Sequence, residues 1–267
     1  MAGGGLDKPI AEAPAIHSAS FRQTMGALVG GPFAGGNRVT TLNNGDEIFP
    51  AMLRAIRGAK RSITFETFVF YKGEIPQQFA DALAARARAG VKVHVIIDAV
   101  GGKKSGAYHQ MLRDAGVELE KYHTIAWLDP RRYNSRTHRK LLVVDGRIGF
   151  IGGVGIADEW NGKAQSPEHW RDLHYRVEGP AVAQLQGIFL ENWLKTHKTV
   201  LAGPDYFPPL APAGSLAGGA FASSPRRGDT SVIHMYQLAI ASARHSLKIE
   251  SPYFLPDRKT LAALIAA

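Results

Sequence analysis

Residues 62–98 read SITFETFVFYKGEIPQQFADALAARARAGVKVHVIID. The opening SITFETFVF is rich in β-branched and aromatic residues and predicts a strand. EIPQQFADALAARARAG has helical composition and stops at Gly90. VKVHVIIDAV is a near-continuous apolar run, the pattern of a strand buried on both faces. Strand, helix and strand in that order define an α/β layer architecture with a parallel or mixed sheet flanked by helices.

The alternation continues on both sides. Upstream, GDEIFPAMLRAIRGAK (45–60) sets Ile48, Met52, Ile56 and Ala59 at helical spacing, with acids at its start and bases at its end to suit the helix dipole. Downstream, GVELEKYH and KLLVVDG predict further strands, and GPAVAQLQGIFLENWLKTHK predicts an amphipathic helix with Val182, Leu185, Ile188, Phe189 and Trp193 on one face. The Pro/Gly-rich AGPDYFPPLAPAGSLAGGAFASSP then lacks periodic apolar residues and predicts a linker. After it the pattern restarts. Setting AIRGAKRSITFETFVF (55–70) above AIASARHSLKIESPYF (239–254) aligns Ala55, Ile56, Ala59, Ser62, Glu66 and Phe70 with identical residues at a constant offset of 184. Four regions follow: a flexible extension over 1–36, a first domain over 37–202, a linker over 203–232, and the beginning of a second copy over 233–267.

Composition narrows the function. The 267 residues are 45% hydrophobic and 21% charged, as in a globular protein, and 32 Lys and Arg against 23 Asp and Glu give a net charge of +9. That excess favours anionic partners: nucleic acid, phosphorylated metabolites or acidic lipid headgroups. With no cysteine, disulfides, thiolate zinc sites and cysteine nucleophiles are excluded. The first twenty residues lack the basic and apolar regions of a signal peptide, and no stretch approaches the roughly 20 apolar residues of a membrane span.

Chemistry concentrates in RTHRKLLVVDGRIGFIGG (136–153), which spells H-x-K-x4-D-x6-G-G with His138, Lys140, Asp145, Gly152 and Gly153. At ordinary residue frequencies the pattern arises by chance in a chain of this length at a rate of about 10⁻⁴. In a strand, His138 and Lys140 share one face while Arg139 points away. Lysine keeps the neighbouring imidazole neutral and neutralises phosphate oxygens, a pairing suited to nucleophilic attack on an anionic phosphorus centre. VVDGRIGF has the form of a hairpin with an Asp-Gly turn, so Asp145 is either a turn residue or part of the chemistry. The two glycines end a strand or let phosphate approach the backbone.

This stretch resembles the HKD motif of the phospholipase D superfamily. LNNGDEIFPAMLRAIRGAKRSITFETFVF, GVKVHVIIDAVGG, HRKLLVVDGRIGFIGG, WRDLHYRVEGPAVAQLQGIFLENW and SPYFLPD are similar to its bacterial cardiolipin synthase branch, over roughly 37–267. The resemblance implies a phospholipase D-like fold duplicated about a pseudo-two-fold axis, with two motifs meeting at one site. One histidine forms a phosphohistidine; the other protonates the leaving alcohol and activates the acceptor. It further implies phosphatidyl transfer from phosphatidylglycerol, or hydrolysis of phospholipids, with no metal or other cofactor. The partners it implies are anionic phospholipid, a membrane surface and a second HKD half supplied in cis or in trans; the location is cytoplasmic, peripheral to the inner membrane.

Asp172 in WRDLH stands about thirty residues past His138, where the family has an acid that holds a catalytic imidazole. Glu66 is expected to face the cleft and, with Gly152 and Gly153, to bind substrate. Gly155 stands where the family commonly has a phosphate-holding asparagine. The spacing of His169 and His174 on one strand does not suit a metal pair. GKKSG (102–106) and PRRYNSRTHRK (130–140) offer a basic rim for acidic lipid, and Phe150 and Trp160 are core residues or interface anchors. Two alternatives stay open: a single-motif nuclease pairing two copies of His138 across a homodimer on DNA, and a lipid-binding module without catalysis.

Overall fold

A computed structural model describes residues 10–102, 106–122, 136–223, 231–251 and 253–267. The chain divides into two compact units, Gly35–Gly218 and Met1–Ala34 with Gly219–Ala267. The larger unit is built on strands β1 (Ala34–Asn43), β2 (Ser62–Thr67), β3 (Lys92–Asp98), β4 (Glu118–Tyr122), β5 (Leu141–Val144), β6 (Ile148–Gly152), β7 (Leu173–Glu178) and β8 (Leu216–Gly218). They form one sheet in the order β4-β3-β2-β5-β6-β7-β1-β8. β2, β3 and β4 run parallel, and β5 turns back antiparallel against β2, placing Glu66 opposite Leu141. The sheet is therefore mixed, as the alternation of elements predicts.

Helices cover both faces. α2 (Asn44–Gly58), α3 (Glu74–Arg88) and α4 (Gly106–Asp114) take one face, where Ile63, Phe65, Val93, Val95, Ile97, Leu142 and Val144 share a core with Ile48, Phe49, Met52, Ile56, Phe79, Leu83 and Leu112. Burying each such side chain contributes about 1.5–3 kcal/mol, so this layer dominates stability. Alternate residues of the same strands turn to α5 (Ala181–Thr196) on the other face, where Thr64 Oγ1 donates to Gln186 Oε1 at 3.1 Å. A short 3-10 turn at Asp158–Trp160 starts α3 from outside it: the Asp158 carboxylate accepts the N–H groups of Glu74 and Ile75, both at 2.8 Å. An anion at these free donors also complements the helix dipole.

The β5–β6 hairpin turns at Asp145 and Gly146, with φ of 54° and 62°. Positive φ at both central residues is the conformation the Asp-Gly pair favours. The Asp145 carboxylate accepts N–H groups of Lys60 at 2.9 Å, Arg61 at 2.7 Å and Ser62 at 3.0 Å, tying the α2–β2 connection to the hairpin. Of its two readings, the structure gives Asp145 the turn role. It stands at the opposite end of β5 from Lys140, so direct participation in chemistry beside His138 is replaced by loop anchoring. Asp145→Ala leaves three amides without their acceptor, and a drop in unfolding free energy of about 2–3 kcal/mol is expected. Asp145→Asn, which tolerates positive φ, loses less; urea midpoints of the two variants check the order.

The expected linker is mostly exposed but is pinned to the sheet at single residues. Asp205 takes Arg61 Nη1 and Lys92 Nζ, each at 3.0 Å, Tyr206 Oη meets His94 Nε2 at 2.7 Å, and Leu216–Gly218 joins the sheet edge as β8. Proline-rich chain is tolerated at an edge because no further ladder partner needs its missing N–H. Residues 224–230 of that expected linker lie outside the described residues.

The smaller unit contains α1 (Ala19–Val29), α6 (Ser231–Ser242) and α7 (Arg258–Ala266). Ser18 Oγ caps α1 by accepting Phe21 N–H at 3.0 Å, and Phe21, Met25 and Leu238 form its core. The extension expected to be flexible over 1–36 thus includes a capped helix; residues 1–9 lie outside the described residues. The stretch 246–254, which the repeat sets against SITFETFVF, forms no strand among the described residues, and Leu247, Ile249, Tyr253 and Phe254 are exposed. An isolated strand has no ladder for its peptide groups, so apolar alternation there does not produce one.

Candidate active site

The segment Arg136–Lys140 is extended but unladdered, just ahead of β5. Two carboxylates on neighbouring strands fix it. Asp98, ending β3, accepts Thr137 N–H at 3.1 Å, and Glu66 on β2 accepts the Thr137 hydroxyl. Arg139 reaches α5, donating to Ile188 O at 2.6 Å and Glu191 Oε2 at 2.8 Å. With Thr137 and Arg139 held on the α5 side, the two-residue period turns His138 and Lys140 together to the other side.

Lys140 is buried, and its Nζ lies 3.2 Å from His138 Nε2 and donates to His138 O at 3.0 Å. His138 itself is exposed, its ring 5.0 Å from that of Phe68, whose face Lys140 Nζ also overlies at 5.6 Å. Partial burial, then the Lys140 charge, lower the His138 pKa from its ordinary value, opposed by Asp98. Burial pushes Lys140 down to about 8, opposed by Asp172. At neutral pH the pair is a neutral imidazole beside an ammonium: a nucleophile with an anion-binding neighbour.

Glu66 corrects its expected place in the cleft. It is fully buried under Thr137, and its Oε1 also accepts from Asn192 Nδ2 at 2.7 Å. Burial raises its pKa, and Oε2 has no hydrogen-bond partner among the described residues. Glu66 therefore supports the segment carrying His138 from behind, rather than meeting substrate.

Gly152 and Gly153 admit neighbouring side chains. Continuing the β5–β6 register by one residue sets Lys140 level with Gly152, which pairs His174 on β7. A methyl on Gly152 falls 2.4 Å from His174 Nδ1, and one on Gly153 falls 2.1 Å from Asp172 Oδ1. The glycines thus hold a gap across which His174 and Asp172 approach Lys140. His174 is buried with neither ring nitrogen hydrogen-bonded among the described residues, and burial, then Lys140, lower its pKa to about 3. The Asp172 carboxylate accepts from Trp160 Nε1 at 2.9 Å and Leu173 N at 2.8 Å, so within the described residues its charge serves Lys140 and it makes no hydrogen bond to His138. Gly155 has no room for the asparagine of related motifs: its methyl falls 2.7 Å from Val69 Cβ and 2.9 Å from the Trp160 ring.

Phe150 and Trp160 are both buried, which makes them core residues and not interface anchors. Residues 103–105 and 123–135, carrying most of the expected basic rim, lie outside the described residues. Among the described residues no cluster of His, Asp and Glu is arranged to hold a metal ion, and no helix is long and apolar enough to cross a membrane. Asp98, Thr137, Asn192 and His174 were not anticipated as site residues. Two carried a signal: Asp98 closes an apolar run, and His174, two past Asp172, shares its strand face.

A mixed sheet flanked by helices, with an H-x-K pair presented at the mouth of a central strand, defines a phospholipase D-like domain. The family model described as cardiolipin synthase, phospholipase D-like domain, matches residues 52–193. The chain belongs to this family. It is 38% identical over 231 residues to cardiolipin synthase 2 of Bacillus cereus, covering 85% of this chain and 45% of that protein. It is 35% identical over 235 residues to cardiolipin synthase A of Pseudomonas fluorescens, covering 87% and 49%. The chain therefore spans about half the length of the curated relatives it matches. Among solved structures, phosphatidylserine synthase of Haemophilus influenzae aligns with a TM-score of 0.60 at 15% identity, covering 92% of this chain and 63% of that one, a likeness of fold.

Proposed function

We propose that the protein is a phosphatidyltransferase of the cardiolipin synthase type, acting on phosphatidylglycerol. The observation that carries this reading is the neutral His138 imidazole held 3.2 Å from the Lys140 ammonium at an exposed strand mouth. In the first step Lys140 leaves Nε2 for a phosphoryl oxygen, and His138 Nε2 attacks phosphorus. A P–N bond forms, the P–O bond to glycerol breaks, and the alkoxide takes a proton from an acid. Asp98 offsets the charge that develops on His138. In the second step an acceptor hydroxyl gives its proton to the same acid's conjugate base and attacks phosphorus, releasing neutral His138. The acid must be a second group, because the attacking imidazole cannot protonate the alcohol it expels. We assign it to a second HKD motif, in cis or in trans; the 267 residues contain one.

The +9 charge supports a peripheral encounter with an anionic lipid surface. The test incubates full-length protein with phosphatidylglycerol vesicles and separates the products. Cardiolipin with release of glycerol is expected; phosphatidic acid alone reassigns the protein as a hydrolase, and neither product removes both readings.

A further inference from the structure

We propose that His174 is a positioning residue for Lys140: its imidazole is the acceptor to which one ammonium N–H turns when His138 Nε2 is released to attack phosphorus. This rests on the reading of His138 as the nucleophile and names the group that frees it.

The observation is a pair of unmet hydrogen-bonding groups on one face of the sheet. His174 is buried, and neither ring nitrogen has a hydrogen-bond partner among the described residues. Gly152 stands between it and Lys140, level with Lys140 by the continued β5–β6 register and paired with His174 on β7. Paired residues share a face. The missing side chain of Gly152 leaves the space the imidazole enters, and Nδ1 crowds the point where a methyl would stand. On the other side of His174 in the same row is Leu42 of β1, whose apolar side chain offers no hydrogen bond.

Lys140 carries the complementary surplus. Of its three N–H groups, one goes to His138 O at 3.0 Å and one lies toward His138 Nε2 at 3.2 Å; the third has no hydrogen-bond partner among the described residues. The Asp172 carboxylate accepts from Trp160 Nε1 and Leu173 N, and Phe68 presents only its ring face. Burial, then the Lys140 charge, keep His174 neutral, so one of its nitrogens carries a free lone pair. The contact from Lys140 occupies the Nε2 lone pair that must attack. Withdrawing it with no other acceptor would strand a second N–H on a buried ammonium. With His138 O, a phosphoryl oxygen and His174 as its three acceptors, the ammonium is fully bonded and Nε2 is free.

The experiment uses full-length protein on phosphatidylglycerol vesicles and follows glycerol release. His174→Phe fills the space of the ring without a hydrogen-bonding atom. Its kcat is expected to fall about ten- to a hundredfold, the worth of one hydrogen bond to a charged group, with KM little changed. Its alkaline limb should move below pH 8, because the acceptor that favours the ammonium is gone and only His138, Asp172 and the Phe68 ring still face it. His174→Asn, with an amide near the Nδ1 position, or His174→Gln, with one near Nε2, should recover most of kcat. A role in packing alone predicts the reverse order, and a kcat and limb unchanged in His174→Phe overturn the inference. Should His174→Phe fail to fold, nitrogen-15 histidine spectra of the unmodified protein decide, with the His174 signals identified by their loss in His174→Asn. Inorganic phosphate is added until the His138 signals move. A shift of the unprotonated His174 nitrogen supports the inference, and a static one overturns it while glycerol release preserves the reading of His138. An unmodified protein that releases no glycerol removes both.

Discussion

His138→Ala is expected to lower turnover of the full-length protein by at least about four orders of magnitude, as removal of a covalent nucleophile does. Phosphoenzyme carried on this residue, trapped by alkaline denaturation in which a P–N bond survives, should vanish with it. The side chain is exposed and contributes little to the core, so the melting temperature should stay within a few degrees. Loss of activity with an intact fold separates a chemical role from a structural one. Its neighbour supplies a second signature. The reactive pair needs His138 neutral and Lys140 charged. The lowered His138 pKa extends the neutral imidazole below pH 6.5, while the Lys140 ammonium is lost as pH rises through about 8. The profile of kcat/KM should therefore fall on the alkaline side near pH 8. Arginine stays protonated there, so Lys140→Arg, whatever its lower absolute rate, should lack that limb. Retention of the limb in Lys140→Arg assigns it to another group.

Much of this arrangement is legible in the sequence because it depends on local periodicity. The SITFETFVF run reads as a strand and VKVHVIID as a strand buried on both faces, and H-x-K on an extended segment puts two side chains together irrespective of tertiary detail. What the sequence concealed is the part set by contacts between distant residues. Glu66 reads as a cleft residue, since a mid-strand carboxylate needs a reason; the reason, Thr137 and Asn192, lies 71 and 126 residues away. Asp145 sits in the motif and yet spends its carboxylate on the amides of residues 60–62. The Pro/Gly-rich segment looks like a tether because its contacts are made by single residues such as Asp205 and Tyr206, with no period to detect. At residues 246–254 the failure runs the other way: the pattern for a strand is present, but among the described residues no neighbour offers the hydrogen bonds that make one.

Gly152→Ala is expected to cost about 3 kcal/mol or more of unfolding free energy, among the larger effects a single methyl can have. The added carbon falls 2.4 Å from Leu173 O and 2.6 Å from His174 Cα, as well as 2.4 Å from His174 Nδ1. The first two belong to the backbone of β7, which is locked to β6 from Ile148↔Glu178 to Gly152↔His174 and cannot retreat without loss of ladder bonds. Removing the imidazole in a Gly152→Ala, His174→Ala double variant relieves only the side-chain contact, so most of the loss should persist. Gly153→Ala behaves differently. The three atoms nearest its methyl all belong to the Asp172 carboxylate, with Oδ1 at 2.1 Å, and a side chain can swing away where a strand cannot. The swing removes the negative charge that holds the Lys140 pKa up against burial. Gly153→Ala should therefore remain closer to the unmodified protein in urea midpoint while its alkaline limb moves below pH 8, and Gly152→Ala should show the larger shift in midpoint. Equal destabilisation by the two substitutions, with no movement of the limb, would mean that Asp172 does not set the charge state of Lys140.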